Sequence, residues 1–336
     1  MKILKKHVWF LIVVLLLPGV APAGEIVDGI YRKKNFEGSR DRRYSVFLPE
    51  GSGAGVALPL VVVLHGCSQT HRDIMKVTRF NELAEAEKFI VVYPFVTSYD
   101  GLRNTNCWGY WIEDEIQEGS GEAADIAAII MEVQDAYAID PSRIHITGLS
   151  SGGAMATAVM VAYSEIIASG SPAAGIAYGE TECAVKGVCF NFNLFKPSTW
   201  LYWWSPKFES TEETVQDMVT EMGADKRLVP LMVLHSTSDS KVDVTAARNN
   251  AEAWATLFQV DMSNPVASEV GETEGVTWQH HRYGSYGDGS AIETHFADGP
   301  GHAWVGGAQG DYAEPDGPDW AAIAWEFFKT HPMIVQ

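Results

Sequence analysis

Residues 148–153 read Gly-Leu-Ser-Ser-Gly-Gly and could supply a serine nucleophile at Ser150. They follow Ile-His-Ile-Thr, typical of a buried strand, and they precede a helical pattern. A tight strand-to-helix turn projects the serine oxygen from a sheet and needs glycines where the backbone is crowded. The pattern therefore predicts Ser150 as a nucleophile. The alternative is an ordinary glycine-rich turn that begins the next helix.

A serine hydroxyl needs a histidine to accept its proton and a carboxylate to orient that histidine. In hydrolases whose serine lies on such a turn, the acid and then the histidine follow it along the chain. Asp239 comes after the apolar residues 229–234, where the end of a strand would place its carboxylate at the edge of the sheet. Asp243 is the alternative acid, although it is better suited to capping the helix that begins near Thr245.

His302 is the predicted base, because it lies in the late, glycine-rich loop Gly-Pro-Gly-His-Ala-Trp at residues 299–304. This loop follows a predicted last strand at residues 292–296, as the order serine, acid, histidine requires. The other downstream histidines lie in strand-like patterns or near the C-terminus: His280, His281, His295 and His331.

Backbone N–H groups must also face the carbonyl oxygen that becomes negative during ester or amide cleavage. One candidate donor is Ser151, the residue after the nucleophile. The other is Cys67, in the loop His-Gly-Cys-Ser-Gln at residues 65–69 that follows a predicted strand. His65 and His235 both end core strands, and we interpret them as structural residues that support these loops.

The elements that must position these residues alternate between short β-branched runs and longer helical patterns, which predicts an α/β fold with a mostly parallel sheet. Central strands are predicted at residues 59–64, 89–93, 143–147 and 229–234, and outer strands at 44–48 and 277–283. Helices are predicted at residues 79–88, 123–138, 152–163, 245–258 and 319–329. With no internal repeat or Ser/Thr/Pro-rich linker, we expect residues 24–336 to form a single catalytic domain.

The composition excludes several classes of protein. The 336 residues are 46% hydrophobic, which argues against a disordered chain. The formal charge of -19 repels nucleic-acid phosphates and anionic membranes, so we predict no nucleic-acid partner. We also expect no metal and no cofactor, and composition does not indicate an oligomeric state.

The first 23 residues have the features of a signal peptide. Lys2, Lys5 and Lys6 precede an apolar run at residues 8–17, and Ala-Pro-Ala at 21–23 is a pattern that signal peptidase cleaves. We predict cleavage before Gly24 and a secreted or periplasmic protein with no membrane association afterwards. The alternative, a membrane anchor, would need a longer apolar run.

Four cysteines remain after residue 23, and an even number in an exported chain favours disulfides. Three connectivities are possible, of which we favour Cys67 with Cys107 and Cys183 with Cys189. A zinc site is the weaker alternative, because the chain has no Cys-x-x-Cys pair.

Residues 190–208 contain eight aromatic residues in an irregular stretch. They could form a satellite core beneath an insertion or a wall that stacks on a substrate. For the second case the candidate substrate-binding residues are Trp200 and Trp203, together with Trp108 and Trp304 from other motifs.

Four segments in chain order carry a resemblance to a known family. They are residues 64–69 (Leu-His-Gly-Cys-Ser-Gln), 106–108 (Asn-Cys-Trp), 146–155 around Ser150, and 301–304 (Gly-His-Ala-Trp). Together they resemble the esterase family of polyhydroxybutyrate depolymerases and related feruloyl and acetylxylan esterases. Ser236 and Val305 depart from the family pattern, which usually has glycine and often proline at these positions.

The resemblance implies an α/β-hydrolase fold and the roles assigned above to Ser150, Asp239, His302 and the Cys67 amide. It also implies a bridge between Cys67 and Cys107.

The resulting hypothesis is a secreted serine esterase that works through an acyl-enzyme. Polyhydroxyalkanoate polymer or oligomers are the expected substrate, ahead of feruloylated or acetylated plant polysaccharide. The resemblance implies that enzymes acting on crystalline polymer often carry an extra linker and binding domain. Because the sequence shows neither, we expect soluble oligomers, an amorphous polymer or a wall-bound ester rather than a crystalline surface. A peptidase or acyltransferase on the same triad is an alternative, and a non-catalytic polymer-binding module is an alternative of another class.

Overall fold

A ten-stranded sheet organises the protein. The computed structural model describes residues 24–53, 55–96, 105–186, 206–225 and 227–334. The strands of the sheet are β1 (Glu25–Tyr31), β2 (Arg42–Leu48), β3 (Leu58–Leu64), β4 (Ile90–Pro94), β5 (Ile139–Leu149), β6 (Ser169–Ala173), β7 (Leu231–Ser236), β8 (Ala267–Thr273), β9 (Val276–Tyr283) and β10 (Ile292–Asp298). Their spatial order is β1-β2-β4-β3-β5-β6-β7-β10-β9-β8. A separate pair consists of β11 (Trp304–Val305) and β12 (Ala313–Glu314).

The middle of the sheet is parallel. Strands β4, β3, β5, β6, β7 and β10 are parallel neighbours, and antiparallel strands flank them on both sides. Parallel strands need crossover connections, and here helices cover both faces. The α/β prediction is therefore confirmed, and β5, β7 and β10 end at the same edge.

Two helical layers bury the faces of this sheet. The helices are α1 (His71–Thr78), α2 (Phe80–Glu87), α3 (Glu113–Ile116), α4 (Gly121–Ala136), α5 (Ser151–Ala162), α6 (Thr211–Met222), α7 (Val244–Phe258) and α8 (Trp320–Thr330). One core includes Ile129, Val159 and Trp254 from α4, α5 and α7. The other includes Phe80 and Phe328 from α2 and α8. Within the described residues, no helix combines the length and apolarity needed to cross a membrane.

The helix predicted at residues 79–88 corresponds to α2, and a break at Arg79 separates it from α1, which the sequence analysis did not predict. Arg79 has a φ of 61°, in the left-handed region, where the helical hydrogen bonding cannot continue. Helix α1 begins with a capping box in which Thr70 and Asp73 bond each other's backbone N–H groups. The start signal at Thr70 therefore belongs to α1, which ends before the predicted helix begins.

Strand β6 has no signal in the sequence, because it reads Ser-Gly-Ser-Pro-Ala without a β-branched residue. It lies fully buried between β5 and β7, and helix α5 packs closely over it. A Cβ on Gly170 would lie 2.2 Å from Met160 Sδ, so a larger residue there would require the Met160 side chain to move. The edge strands β1 and β8 and the helix α6 were also not predicted.

Candidate active site

Ser150 lies at the turn between β5 and α5. Its φ of 58° and ψ of -120° lie outside the regions that ordinary residues occupy, which costs about 1–3 kcal/mol. The turn is held in place because the Ser150 N–H donates a 2.9 Å hydrogen bond to the Ala173 carbonyl of β6. The serine is thus placed at the carboxyl edge of the sheet, as the motif predicts.

The glycines of the motif are required by close backbone contacts. A Cβ on Gly152 would lie 2.3 Å from the Leu64 carbonyl oxygen, and one on Gly148 would lie 2.5 Å from the Gly152 carbonyl oxygen. Gly153 meets Ala173 in the same way, at 2.6 Å. Each distance is far below van der Waals contact. The first turn of α5 can therefore approach the ends of β3 and β6 only without side chains at these positions.

Asp239 and His302 meet at this edge of the sheet. Asp239 lies in the turn after β7, and His302 lies in the loop after β10. The His302 Nδ1–H donates a 2.7 Å hydrogen bond to Asp239 Oδ2. The other oxygen, Asp239 Oδ1, accepts the backbone N–H groups of Lys241 at 2.8 Å and Val242 at 2.9 Å. Both carboxylate oxygens are therefore engaged, and the imidazole is held in one orientation.

The surroundings of Asp239 keep it ionised. Its burial alone would raise the pKa of the carboxyl, but the hydrogen bond and charge of His302 oppose this. The net effect is a pKa of Asp239 below its usual range. A carboxylate that stays charged and 5% exposed can stabilise an imidazolium beside it.

Asp243 and His235 have structural positions. The Asp243 side chain accepts the Thr245 N–H at 3.0 Å and caps α7, as predicted for this residue. His235 is fully buried and its Nε2–H donates to the Val242 carbonyl at 2.9 Å. Burial lowers the pKa of the His235 imidazole, although Asp239 acts in the opposite direction. His235 therefore supports the turn that carries Asp239.

His302 presents its second ring nitrogen for a further partner. Within the described part of the chain, Nε2 forms no hydrogen bond, and Ser150 Oγ is not bonded to it. Hydrogen bonds between catalytic groups are often long without substrate and tighten when it binds. Ser150, Asp239 and His302 follow the parallel strands β5, β7 and β10 at the same sheet edge.

The loop after β3 lies against Ser150. A Cβ on Gly66 would be 3.2 Å from the Leu149 carbonyl oxygen and 3.4 Å from Ser150 Cβ. The next residue is Cys67, and neither its N–H nor that of Ser151 donates a backbone hydrogen bond among the described residues. Both N–H groups that the sequence predicts as oxyanion donors are therefore outside the backbone hydrogen bonding of the described residues.

A disulfide between Cys67 and Cys107 holds this loop, with the Cα atoms 4.2 Å apart. Ser68, next to Cys67, donates its N–H to the Thr105 carbonyl at 2.6 Å and so adds a second link between the two segments. Cys189, the predicted partner of Cys183, lies outside the described residues.

His65, at the start of the loop that carries Cys67, holds this loop through its imidazole ring. Its Nδ1–H donates to the Gly66 carbonyl at 2.8 Å, and its Nε2 accepts the Val96 N–H at 3.2 Å. Burial lowers the pKa of the His65 imidazole to about 4, so the ring is neutral at pH 7 and both nitrogens are satisfied. This agrees with the structural role predicted for His65.

Two predicted substrate-binding tryptophans are buried, and the prediction is wrong for both. Trp108 is 0% exposed and its Nε1–H donates to the His65 carbonyl at 2.9 Å, so it supports the oxyanion loop. Trp304 is also 0% exposed and packs edge-on against Phe80 and Trp320. A large aromatic ring next to such a motif can either contact substrate or pack in the core, and the sequence does not distinguish these two roles.

The aromatic stretch is only partly described. Trp200 and Trp203 lie outside the described residues. Phe208, at its end, packs half-buried against a small core that contains Tyr110 and Ala154.

Two residues near the site were missed by the sequence reasoning. The Gln69 side chain accepts the Gly66 N–H at 2.9 Å and donates to the Asp311 carbonyl at 3.1 Å, so it joins the oxyanion loop to the segment after His302. Tyr312 places its ring edge-on to His302, with centroids 5.9 Å apart. Gln69 belongs to a motif segment and could have been singled out there, whereas no sequence signal marks Tyr312.

The chain is similar to known esterases in sequence. A family model described as "Esterase PHB depolymerase" matches residues 42–191. The chain is 27% identical over 302 residues to a poly(3-hydroxyalkanoate) depolymerase C of Paucimonas lemoignei, covering 89% of this chain and 67% of that protein. It is 26% identical over 247 residues to feruloyl esterase B of Neurospora crassa, covering 72% and 77%.

Among solved structures, an acetyl xylan esterase from Aspergillus awamori superposes with a TM-score of 0.63 at 20% identity, covering 86% of this chain and 94% of that one. At this identity the likeness concerns the fold. The family resemblance and the α/β-hydrolase fold inferred from the sequence are confirmed.

Proposed function

Because the chain is a serine esterase of the α/β-hydrolase fold, we propose that Ser150, Asp239 and His302 are its catalytic triad. We further propose that it hydrolyses the ester bonds of polyhydroxyalkanoate polymer or oligomers through an acyl-enzyme. The oxyanion donors in this proposal are the backbone N–H groups of Cys67 and Ser151.

In the first half-reaction Ser150 Oγ attacks the ester carbonyl carbon while His302 Nε2 takes the serine proton. The carbonyl oxygen becomes negative and accepts the N–H groups of Cys67 and Ser151. Asp239 stabilises the imidazolium through the Nδ1–H. The C–O bond to the alcohol then breaks, His302 donates its proton to the leaving oxygen, and an acyl-Ser150 ester remains.

In the second half-reaction a water molecule repeats the attack. His302 Nε2 accepts a proton from the water as its oxygen adds to the acyl carbon. The same two N–H groups hold the second oxyanion, and the proton returns to Ser150 Oγ as the acid leaves.

The single observation that carries the proposal is the 2.7 Å hydrogen bond between His302 and Asp239. These residues are 63 positions apart in the chain, and they meet at the sheet edge where Ser150 lies on a strained turn. A buried carboxylate that holds an imidazole in one orientation at this edge is the arrangement that a histidine base requires.

The substrate proposal rests on the extent of similarity. The relationship to the poly(3-hydroxyalkanoate) depolymerase extends over 89% of this chain, whereas that to feruloyl esterase B extends over 72%. Feruloyl or acetylxylan ester hydrolysis is the second candidate, favoured by the relatives with those activities in their names.

The triad is tested by labelling the folded protein with a fluorophosphonate probe and mapping the modified peptide by mass. We expect a single label on Ser150 and none on the Ser150→Ala variant. Ser151→Ala is the matched control, because it removes the neighbouring hydroxyl and retains the backbone N–H proposed to act. Wild-type protein that remains unlabelled, or a label elsewhere, would refute the role of Ser150.

The substrate is tested by comparing kcat/KM for hydroxybutyrate oligomers, methyl ferulate and acetylated xylan under the same conditions. We expect the hydroxybutyrate oligomers to be preferred. A clear preference for methyl ferulate or acetylated xylan would replace the polyhydroxyalkanoate proposal with the second candidate.

We also propose export, with residues 1–23 as a cleaved signal peptide and 24–336 as one catalytic domain. The Cys67–Cys107 disulfide supports an oxidising compartment, since such bonds are rare in the cytosol. N-terminal sequencing of the protein from a culture medium or periplasmic extract should begin at Gly24. Protein found only in the cytosol with Met1 retained would contradict the proposal.

A further inference from the structure

The turn that carries Asp239 and the loop that carries His302 are joined by a buried serine. Ser236 is the last residue of β7, is 1% exposed and donates its Oγ–H to the Pro300 carbonyl. Pro300 lies two residues before His302. The same Oγ accepts the Ser238 N–H at 3.2 Å, within the turn that leads to Asp239. One hydroxyl therefore contacts both segments of the proposed acid–base pair.

The loop that carries His302 has few other restraints. Pro300 is flanked by Gly299 and Gly301, which are both exposed. A Cβ built on either glycine would have no other atom within 4 Å. Gly299 has a φ of 111°, which glycine adopts readily and other residues rarely do. Pro300 itself is buried, and its hydrogen bond from Ser236 holds the backbone between two glycines that are otherwise freer to rotate.

Neighbouring contacts hold the start of the loop but not its tip. The Thr237 N–H donates to the Ala297 carbonyl at 2.9 Å, and the Thr237 hydroxyl bonds the exposed Asp298 side chain. These contacts lie before Gly299. Beyond it, two hydrogen bonds join the acid turn to this loop: that of Ser236 to the Pro300 carbonyl and that between Asp239 and His302.

We propose that Ser236 is a positioning residue that sets the orientation of His302 toward Asp239 and Ser150. The proposal rests on the catalytic triad proposed above. The Ser236 hydroxyl fixes the Pro300 carbonyl, and this fixes the direction in which the chain enters His302. Without it, the imidazole keeps Asp239 as a partner but samples poses in which Nε2 does not face the serine.

The test is the Ser236→Ala variant, with Ser238→Ala as a matched control. Ser238 is exposed, lies in the same turn and uses its backbone N–H rather than its side chain. A misplacement of about 1 Å can lower a catalysed rate about 100-fold. We expect Ser236→Ala to lower kcat by about 10- to 100-fold with KM within about twofold, and Ser238→Ala to change neither. Ser236→Thr, which keeps the hydroxyl, should recover most of kcat.

A second variant and two further measurements separate positioning from stability. Ser236→Cys keeps the size of the side chain and replaces the hydroxyl with a weak donor, so it should fold and still lose kcat. The rate of fluorophosphonate labelling should fall in proportion to kcat. We expect a sharp proton NMR signal for the His302 Nδ1–H in the wild type and a broadened one in the Ser236→Ala and Ser236→Cys variants. All assays are made well below the lowest melting temperature of the set.

The outcomes are distinct. If Ser236→Ala and Ser236→Cys have kcat within twofold of wild type at that temperature, whatever their melting temperatures, the positioning role is refuted. If KM rises while kcat is unchanged, the residue acts on substrate binding and the proposal is also wrong. Failure of the triad itself would appear as unlabelled wild-type protein or an active Ser150→Ala variant, which is independent of the Ser236 variants.

Discussion

Replacing Asp239 with asparagine tests the proposed acid with little change in shape. Asp239 Oδ1 accepts two backbone N–H groups, from Lys241 and Val242. An asparagine must place its carbonyl oxygen at this position, because an NH₂ group there would face two donors. Its NH₂ group is then directed at His302 Nδ1, where the carboxylate oxygen Oδ2 was 2.7 Å away.

This orientation reverses the tautomer of His302. With a donor facing Nδ1, the neutral ring keeps its proton on Nε2 and cannot accept the one from Ser150. The equivalent substitution in a serine protease lowers kcat about 10⁴-fold for this reason. We therefore expect kcat/KM of Asp239→Asn to fall about 10⁴-fold, or about 5.5 kcal/mol of transition-state stabilisation.

The assay is steady-state hydrolysis of a chromogenic ester, with active sites counted by fluorophosphonate titration. Asp243→Asn is the matched control, because it lies in the same turn and asparagine caps a helix as well as aspartate does. We expect the control to retain activity within about twofold of the wild type. Circular dichroism and thermal melting establish that both variants are folded.

Two results would refute the reasoning. An Asp239→Asn variant that retains more than about a tenth of the wild-type kcat/KM would show that the carboxylate does not set the tautomer of the base. Equal losses in Asp239→Asn and Asp243→Asn would mean that the turn as a whole, rather than the acid, is responsible.

Three further predictions follow from the same contacts. Replacing Cys67 and Cys107 with serine opens a loop with a sequence separation of 40 and should lower the free energy of unfolding by about 4 kcal/mol, measured by urea denaturation; an unchanged midpoint would contradict this. Gly152→Ala places a Cβ 2.3 Å from the Leu64 carbonyl and should abolish soluble expression or activity, whereas a fully active variant would show that the turn relaxes easily. Folding lowers the pKa of Asp239 below the value of 3.8 that it has in the unfolded chain, so at low pH the unfolded chain binds more protons than the folded protein. The stability due to this carboxylate is therefore present above pH 3.8 and is lost as the pH falls through the folded-state pKa. Unfolding free energies of wild type and Asp239→Asn, measured from pH 6 to 3, should therefore converge, and a difference independent of pH would exclude this origin.

The parts of the fold with strong local patterns could be predicted from the sequence. Buried parallel strands such as β3 and β4 read as continuous β-branched runs, and α4, α5 and α7 carry apolar residues at helical spacing. Strand β6 could not be predicted, because its residues are small to fit under α5 and its strand conformation comes from its neighbours. Local preference gives way to packing where elements approach most closely.

The tryptophans show a second limit. Trp108 and Trp304 adjoin motif residues, and from the sequence alone they could have lined a cleft. The structure buries both, one beneath the oxyanion loop and the other between Phe80 and Trp320. Whether an aromatic ring faces substrate or core depends on which distant segments cover it, and that information is not local.

From the sequence one could predict the proposed chemistry: a serine on a glycine-flanked turn, an acid after a later strand and a histidine in a late loop. Their order along the chain and their position after apolar runs are local properties, so they can be recognised without coordinates. Only the tertiary structure decided which carboxylate meets His302, which amides remain free beside Ser150, and that Ser236 ties the acid turn to the base loop. These are contacts between segments about 60 to 240 residues apart, and they exist because parallel strands bring their carboxyl ends to one edge.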